Sequence, residues 1–227
     1  MNPLIIIPAR GGSKRIHKKN IKSFNGKPLI CYTIEVARKL FNDEIICVST
    51  DDQEIKSIVE SYGLKIPFLR PSYLASDSAT THDVVIDTVK WYEQNGYHPD
   101  TIILLQPTSP LRTINHLKDS LLEWDNSIDM ITSVSIPFND NLKNIFYENE
   151  NGYLIKIKET NILNYDQNKI FQLNGAIYII KVDSLKTSEI SEFTKVKKFI
   201  MKKINSVDID TIQEWKAAES IYLNKLD

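Results

Sequence analysis

The sequence predicts an α/β chain, a mostly parallel sheet with helices on both faces. Three observations predict it. Short apolar runs rich in β-branched residues recur at 4–7, 44–49, 101–105, 129–136 and 175–181. Segments with apolar residues at helical spacing lie between most of them. The junctions at 8–10, 49–51 and 106–108 carry polar residues or proline, as the carboxyl ends of strands beside a ligand crevice should.

The elements follow in order. Residues 4–7 form a continuous apolar run ended by Pro8, the pattern of a strand buried on both faces. A polar, glycine-containing loop reaches Gly26. Pro28 then opens a helix, where a missing N–H costs little. Ile30, Ile34, Ala37 and Phe41 give that helix one apolar face. Residues 44–49 form the second strand. Asp51, with Glu54 three residues on, is expected to cap the next helix, which buries Ile55, Ile58, Val59 and Tyr62 and stops at Gly63. Residues 66–69 read as a third extended piece. A helix over 82–95 carries Val85, Val89 and Tyr92 and is stopped by Asn95-Gly96. After the strand at 101–105, Thr113 caps a helix with Leu117, Leu121 and Trp124 on one side. The rhythm breaks near 137, and residues 137–170 read as a β-rich insertion or arm. The strand at 175–181 follows, then a weaker one at 199–204. Thr211 and Glu214 form a capping box for a last helix with Trp215, Ala218, Tyr222 and Leu226 on its core face.

A chain of 227 residues fits one domain, here 1–227. A net charge of −1 provides no global basic field, so nucleic acid is not an expected partner. Cys31 and Cys47 match no zinc or redox spacing and read as buried thiols, in keeping with a reducing cytoplasm. No apolar run reaches the roughly 18 residues of a membrane span, and the first residues read as a strand rather than a signal peptide.

Local charge is less even. Residues 10–27 carry Arg10, Lys14, Arg15, Lys18, Lys19, Lys22 and Lys27 with no acid among them. Such a segment suits a compact polyanion, or else a solvated surface. Its start, Pro8-Ala9-Arg10-Gly11-Gly12-Ser13-Lys14-Arg15, follows a strand as phosphate loops do, but it is neither a Walker A loop nor a dinucleotide GxGxxG. A nicotinamide-dependent oxidoreductase is therefore disfavoured. Gly11 and Gly12 let backbone N–H groups approach an anion. Arg10, Lys14 and Lys19 can surround a triphosphate and stabilise charge on a leaving pyrophosphate. Asp208 and Asp210, two residues apart, point the same way on an extended segment and suit Mg²⁺ or Mn²⁺ together with phosphate oxygens. Helix capping by Asp210 is the structural alternative. Gln106, at the end of a buried strand, presents an amide to a sugar or base, or simply closes a polar turn between prolines.

Taken together, these stretches resemble the acylneuraminate cytidylyltransferases, or CMP-sialic acid synthetases. The matching stretches are IIPARGGSKRIHKKNIKSFNGKPLICYTI, VSTDD at 48–52, LRPSYLASDSATT at 69–81, LLQPTSPLRT at 104–113, NGAIYI at 174–179 and VDIDT at 207–211. The resemblance implies a Rossmann-like nucleotidyltransferase fold, a homodimer in which 137–175 serves dimerisation and the partner's sugar site, and Mg²⁺. It implies condensation of CTP with a nonulosonic acid to a CMP-sugar and pyrophosphate. An octulosonic or pseudaminic acid as substrate, or a non-catalytic nucleotide-binding relative, is the alternative. Arg10, Lys14, Lys19 and Asn20 match the CTP loop, with Ser13 beside them. Arg70 and Thr80 match a second nucleotide stretch. Gln106, Ser109, Lys143, Asn174 and Tyr178 match sugar-site positions, and Asp208 and Asp210 the metal carboxylates. Three departures stand out: His17-Lys18 replaces the usual proline stretch, Asn164-Tyr165 an Arg-Gln pair, and Gln172 a frequent arginine. Arginine is the natural bidentate partner of a sugar carboxylate, so the last two bear on the sugar more than on the nucleotide.

Overall fold

The computed structural model describes residues 1–137, 144–157 and 164–224. Strict alternation on the first strand sets the architecture. In β1 (Pro3–Pro8), Leu4 and Ile6 pack into one apolar cluster while Ile5 and Ile7 pack into another on the opposite face. A strand buried on both sides needs helices on both sides. A small ribbon, β2 (Ser23–Phe24) and β3 (Lys27–Pro28), follows the basic loop. α1 (Leu29–Arg38), β4 (Ile46–Ser49), α2 (Gln53–Ser61), α3 (Thr81–Gln94), β5 (Thr101–Leu105), α4 (Ile114–Leu122) and β6 (Met130–Ser135) continue the alternation. Then come β7 (Ile145–Glu148), β8 (Leu154–Lys156), β9 (Ile170–Lys181), α5 (Val182–Thr187), β10 (Val196–Ile200) and α6 (Ile212–Leu223). Apolar side chains of α1, α2 and α4 cover one face of the sheet, and those of α3 and α5 the other.

The main sheet runs β10-β6-β9-β5-β1-β4. β1 is parallel to β4 and β5, and β10 to β6, as expected for a mostly parallel sheet. β9 is antiparallel to both β5 and β6 and lies between them. Its sequence is as apolar as a parallel strand because it too is buried on both faces, so composition alone does not show its direction.

β9 also anchors the described part of the insertion. Its first half runs past the sheet edge and pairs with β7, which pairs with β8. The described part of the insertion is thus a hairpin laid on an extension of the central strand. Three local expectations change as well. Residues 66–69 form no strand; Ile66 N instead donates to Glu60 Oε1 at 3.3 Å. The late strand lies at Val196–Ile200 rather than 199–204, because Phe199 is the residue that turns into the core. Asp52, not Asp51, caps α2, accepting from the N–H groups of Glu54 and Ile55 at 2.7 and 3.0 Å. Leu226 lies outside the described residues. Among the described residues no helix is long and apolar enough to cross a membrane.

One further cluster positions the chemistry. Phe24, Tyr32, Trp215 and Tyr222 meet edge-to-face, with ring centroids 5.1–6.0 Å apart. Such pairs each add about 0.5–1.5 kcal/mol beyond the area they bury. Ile16 and Ile209 belong to the same cluster. Apolar packing therefore brings the basic loop and the 207–210 segment, far apart in sequence, to one place.

Candidate active site

β1, β4 and β5 all end at the same edge of the sheet. Beyond it lies a crevice of about 560 Å³ whose walls include Arg10, Ser13, Lys14, Lys19, Asn20, Gln106, Tyr178, Asp208 and Asp210. A second crevice of about 300 Å³ adjoins it and includes Arg70 and Thr80. Pro8, Arg10, Asp77 and Gln106 are common to both.

The basic loop is held at both ends. Ala9 N–H donates to Ser49 O at 2.9 Å, and Asn20 Nδ2 donates to Arg10 O at 3.1 Å. Gly11 N–H donates to Asp51 Oδ1 at 3.1 Å. A Cβ on Gly11 would lie 2.3 Å from Asp52 Oδ2 and 2.8 Å from Asp52 Cβ. Asp52 cannot retreat without uncapping α2, so this glycine serves packing. Gly12 has open space beside it but lines neither crevice. Lys18 takes a left-handed conformation, φ 49°.

The loop contains no acid, yet tertiary structure supplies several. Asp77 pairs with Arg10 at 3.1 Å and with Lys14. Asp210 pairs with Lys19 at 2.9 Å and Arg15 at 3.1 Å, and Lys18 pairs with Glu54. Lys19 Nζ also donates to Ile209 O at 2.7 Å. Hydrogen bonds from Lys14 and then Arg10 hold the exposed Asp77 carboxyl below the usual range. Nothing in the sequence pattern marked Asp77 as part of the site, although it lies within the LASDSATT stretch.

Asp208 and Asp210 both face the larger crevice, on an extended segment fixed by Ile209 N–H donating to Thr108 O at 2.9 Å. Their environments differ. The Asp208 side chain is exposed to solvent in the crevice, with its carboxylate set back against the crevice wall. That partial burial raises its pKa; a Thr108 hydrogen bond opposes the shift and the Asp210 charge adds to it. Asp210 is also partly buried, but Lys19 and Arg15 outweigh the burial and lower its pKa. Glu214 forms the Thr211 capping box and also accepts from Asp210 N–H at 2.8 Å, so the Asp210 side chain is not the helix cap.

Arg70 is 5 % exposed. Its Nη2 forms an ion pair with Asp51 Oδ1 at 3.5 Å, while Nε has no hydrogen-bond partner. Buried, unpartnered donors at the wall of a crevice are costly unless a ligand accepts from them. Thr80, the other residue of that nucleotide stretch, caps α3 through Asp83 N–H and donates its own hydroxyl to Asp83. The sugar-site set divides. Gln106 and Tyr178 line the larger crevice, and burial, together with the Asp208 charge, pushes the Tyr178 hydroxyl up to about 12. Ser109 is 1 % exposed and Asn174 5 %, and both lie behind the crevice wall. Asn174 Oδ1 accepts from Ser133 Oγ at 2.6 Å and Ala176 N–H at 3.1 Å, while Nδ2 donates to Ser206 Oγ at 2.9 Å. It shapes β9 where the pairing with β6 shifts register and Gly175 takes φ 72°. Lys143 lies outside the described residues.

Among known proteins, a CMP-N,N'-diacetyllegionaminic acid synthase of Legionella pneumophila is 33% identical over 97% of this chain and 96% of its own length. A pseudaminic acid cytidylyltransferase of Campylobacter jejuni is 32% identical over 98% of this chain and 97% of its own. A solved CMP:2-keto-3-deoxy-manno-octonic acid synthetase complexed with CTP superposes with a TM-score of 0.80 over 99% of this chain and 100% of its own. At 18% identity that last likeness concerns the fold. The family model for cytidylyltransferases matches residues 4–226 and so takes in the basic loop, the Arg70 crevice and the paired aspartates together: the chain belongs to the cytidylyltransferase family.

Proposed function

We propose that this enzyme joins CTP to a nonulosonic acid, releasing pyrophosphate and a CMP-sugar. One observation carries the reading. A single crevice sets Asp208, which forms no ion pair among the described residues, beside a loop of cations that a triphosphate can take over. Both full-length relatives are named for sugars of this kind.

In this reading the sugar's anomeric hydroxyl attacks the α-phosphorus in line. The new O–P bond forms as the bond to the β-phosphate oxygen breaks, and the hydroxyl proton passes to Asp208, directly or through a water. Arg10, Lys14 and Lys19 bind the phosphates and neutralise the departing pyrophosphate. For the phosphates to dock, Asp77 must release Arg10 and Lys14. The Arg70 donors read the base in the smaller crevice, and Gln106 and Tyr178 bind the sugar. Asp208 and Asp210 are hard oxygen donors, and no group of three metal-ligating side chains exists among the described residues, so a divalent cation here would take its other ligands from substrate and water. Residues Asp208 and Asp210 would hold Mg²⁺, which supplies positive charge to the reacting phosphate.

Pyrophosphate release should occur with CTP, Mg²⁺ and one acid from a panel of nonulosonic and octulosonic acids. Release with the octulosonic acid alone would replace the sugar assignment, and no release with any pair would remove the catalytic reading.

The homodimer is also a proposal, supported by exposed apolar side chains at one end of the sheet. Ile136 follows β6, Ile155 lies on β8, Ile200 ends β10 and Ile204 follows it, each 49–68% exposed. Light scattering at micromolar concentration should give twice the 26.1 kDa chain mass. A monomer mass would leave that surface without its expected occupant.

A further inference from the structure

Arg112 is a buried cation that the chemistry above does not use. It is 3 % exposed, and among the described residues no carboxylate pairs with it. A desolvated guanidinium normally has an acid beside it, because burying the charge alone is expensive. Burial pulls its pKa down to about 9. What holds it instead is a set of uncharged acceptors from three elements. Nη1 donates to Gln106 O at 3.2 Å and to Ala176 O at 2.6 Å. Nη2 donates to Thr33 Oγ1 at 2.7 Å, and that hydroxyl donates to Gln106 O at 3.4 Å. Gln106 follows β5, Ala176 lies on β9 directly after Gly175, and Thr33 is on α1.

These acceptors lie next to the crevice. Gln106 and Gly175 both line it, and Tyr178 is two residues beyond Ala176 on β9. β5 and β9 are paired along the ladder only as far as Leu105↔Ile177. Beyond that point no ladder pairing joins them, and Arg112 ties Gln106 to Ala176. A planar fork can hold both carbonyls at once and fix their separation, which a single ammonium cannot do. We propose that Arg112 is a positioning residue that sets Gln106 against Gly175 and Tyr178 and so governs the sugar-acid side of the crevice without touching substrate.

The proposal rests on the assignment of that side to the sugar, and the experiment separates the two. Steady-state kinetics of pyrophosphate release would be measured for wild type, Arg112→Lys and Thr33→Val, well below each protein's melting midpoint. Arg112→Lys should raise KM for the sugar acid about tenfold, because the two carbonyls lose the fork that fixes their separation and the sugar side is misplaced, while KM for CTP changes less than about twofold. Thr33→Val removes one acceptor and should shift the same constant in the same direction by less, so it decides the matter if Arg112→Lys does not fold. A lower melting midpoint with both KM values unchanged would make Arg112 a purely structural residue and overturn the proposal. So would a parallel rise in both KM values. Wild type without release from any sugar acid would overturn the underlying reading, and the proposal with it.

Discussion

Asp208→Asn should abolish turnover and at the same time raise the melting temperature slightly at neutral pH, a small effect because the Asp208 side chain is exposed to solvent in the crevice. The two effects have one cause. Partial burial and the neighbouring Asp210 charge raise the Asp208 pKa, so the native state holds its ionised form at a cost. A carboxyl whose native pKa exceeds its unfolded value binds more protons folded than unfolded, so stability falls as pH rises from the ordinary aspartate value through the raised one. Above that window wild type carries the full penalty, and asparagine removes it while still accepting from Thr108. The stabilisation should shrink as pH falls towards the ordinary aspartate value. Turnover should fall by about 10³-fold or more, since one of the two carboxylates that would hold the divalent cation at the reacting phosphate is lost, while CTP still binds. Calorimetry at several pH values and a pyrophosphate assay check both halves. Wild-type turnover in the variant would remove Asp208 from the chemistry, and a lower midpoint at neutral pH would contradict its electrostatic cost.

Lys19→Ala should lower kcat by about 10²–10³-fold, the usual loss when one preorganised donor to developing charge is removed. It should also destabilise the protein by roughly 1 kcal/mol, a figure kept small because Asp210 is about half exposed. The second effect does not follow from reading 10–27 as an exposed loop. The Lys19 side chain is only 14% exposed and ties the loop to Ile209 and Asp210. Arg10→Ala, acting on a side chain 39% exposed and held by Asp77, should cost less stability than Lys19→Ala. Urea titration beside single-turnover kinetics separates the two contributions. An unchanged kcat in Lys19→Ala would place the cation outside the reaction.

Local interactions were the legible part of this protein. The alternation of β1, the continuous run of β5 and the capping boxes at Thr113 and Thr211 depend on residues a few positions apart, so periodicity and spacing reveal them. The basic loop and the two aspartates were legible for the same reason, as was the loop's placement at the end of β1. Asp51 was misread because capping by Asp51 and by Asp52 differs by one residue, and only the approach of Gly11 and Arg70 shows which one is engaged elsewhere. Ser109 and Asn174 belong to stretches that line the site, but sequence cannot say which side of the wall a side chain takes.

The amino-acid sequence by itself determined the class of fold, most of the helices and strands, and the residue types that chemistry on a triphosphate requires. Tertiary structure alone decided the antiparallel course of β9 through the middle of the sheet and the buried post at Arg112. It also decided the counter-ions of the basic loop. Lys14 meets Asp77 across 63 residues, and Arg15 meets Asp210 across 195. No periodicity encodes such pairs. They follow from apolar packing, which sets Ile16 against Ile209 and Trp215, and the charges beside those side chains then meet.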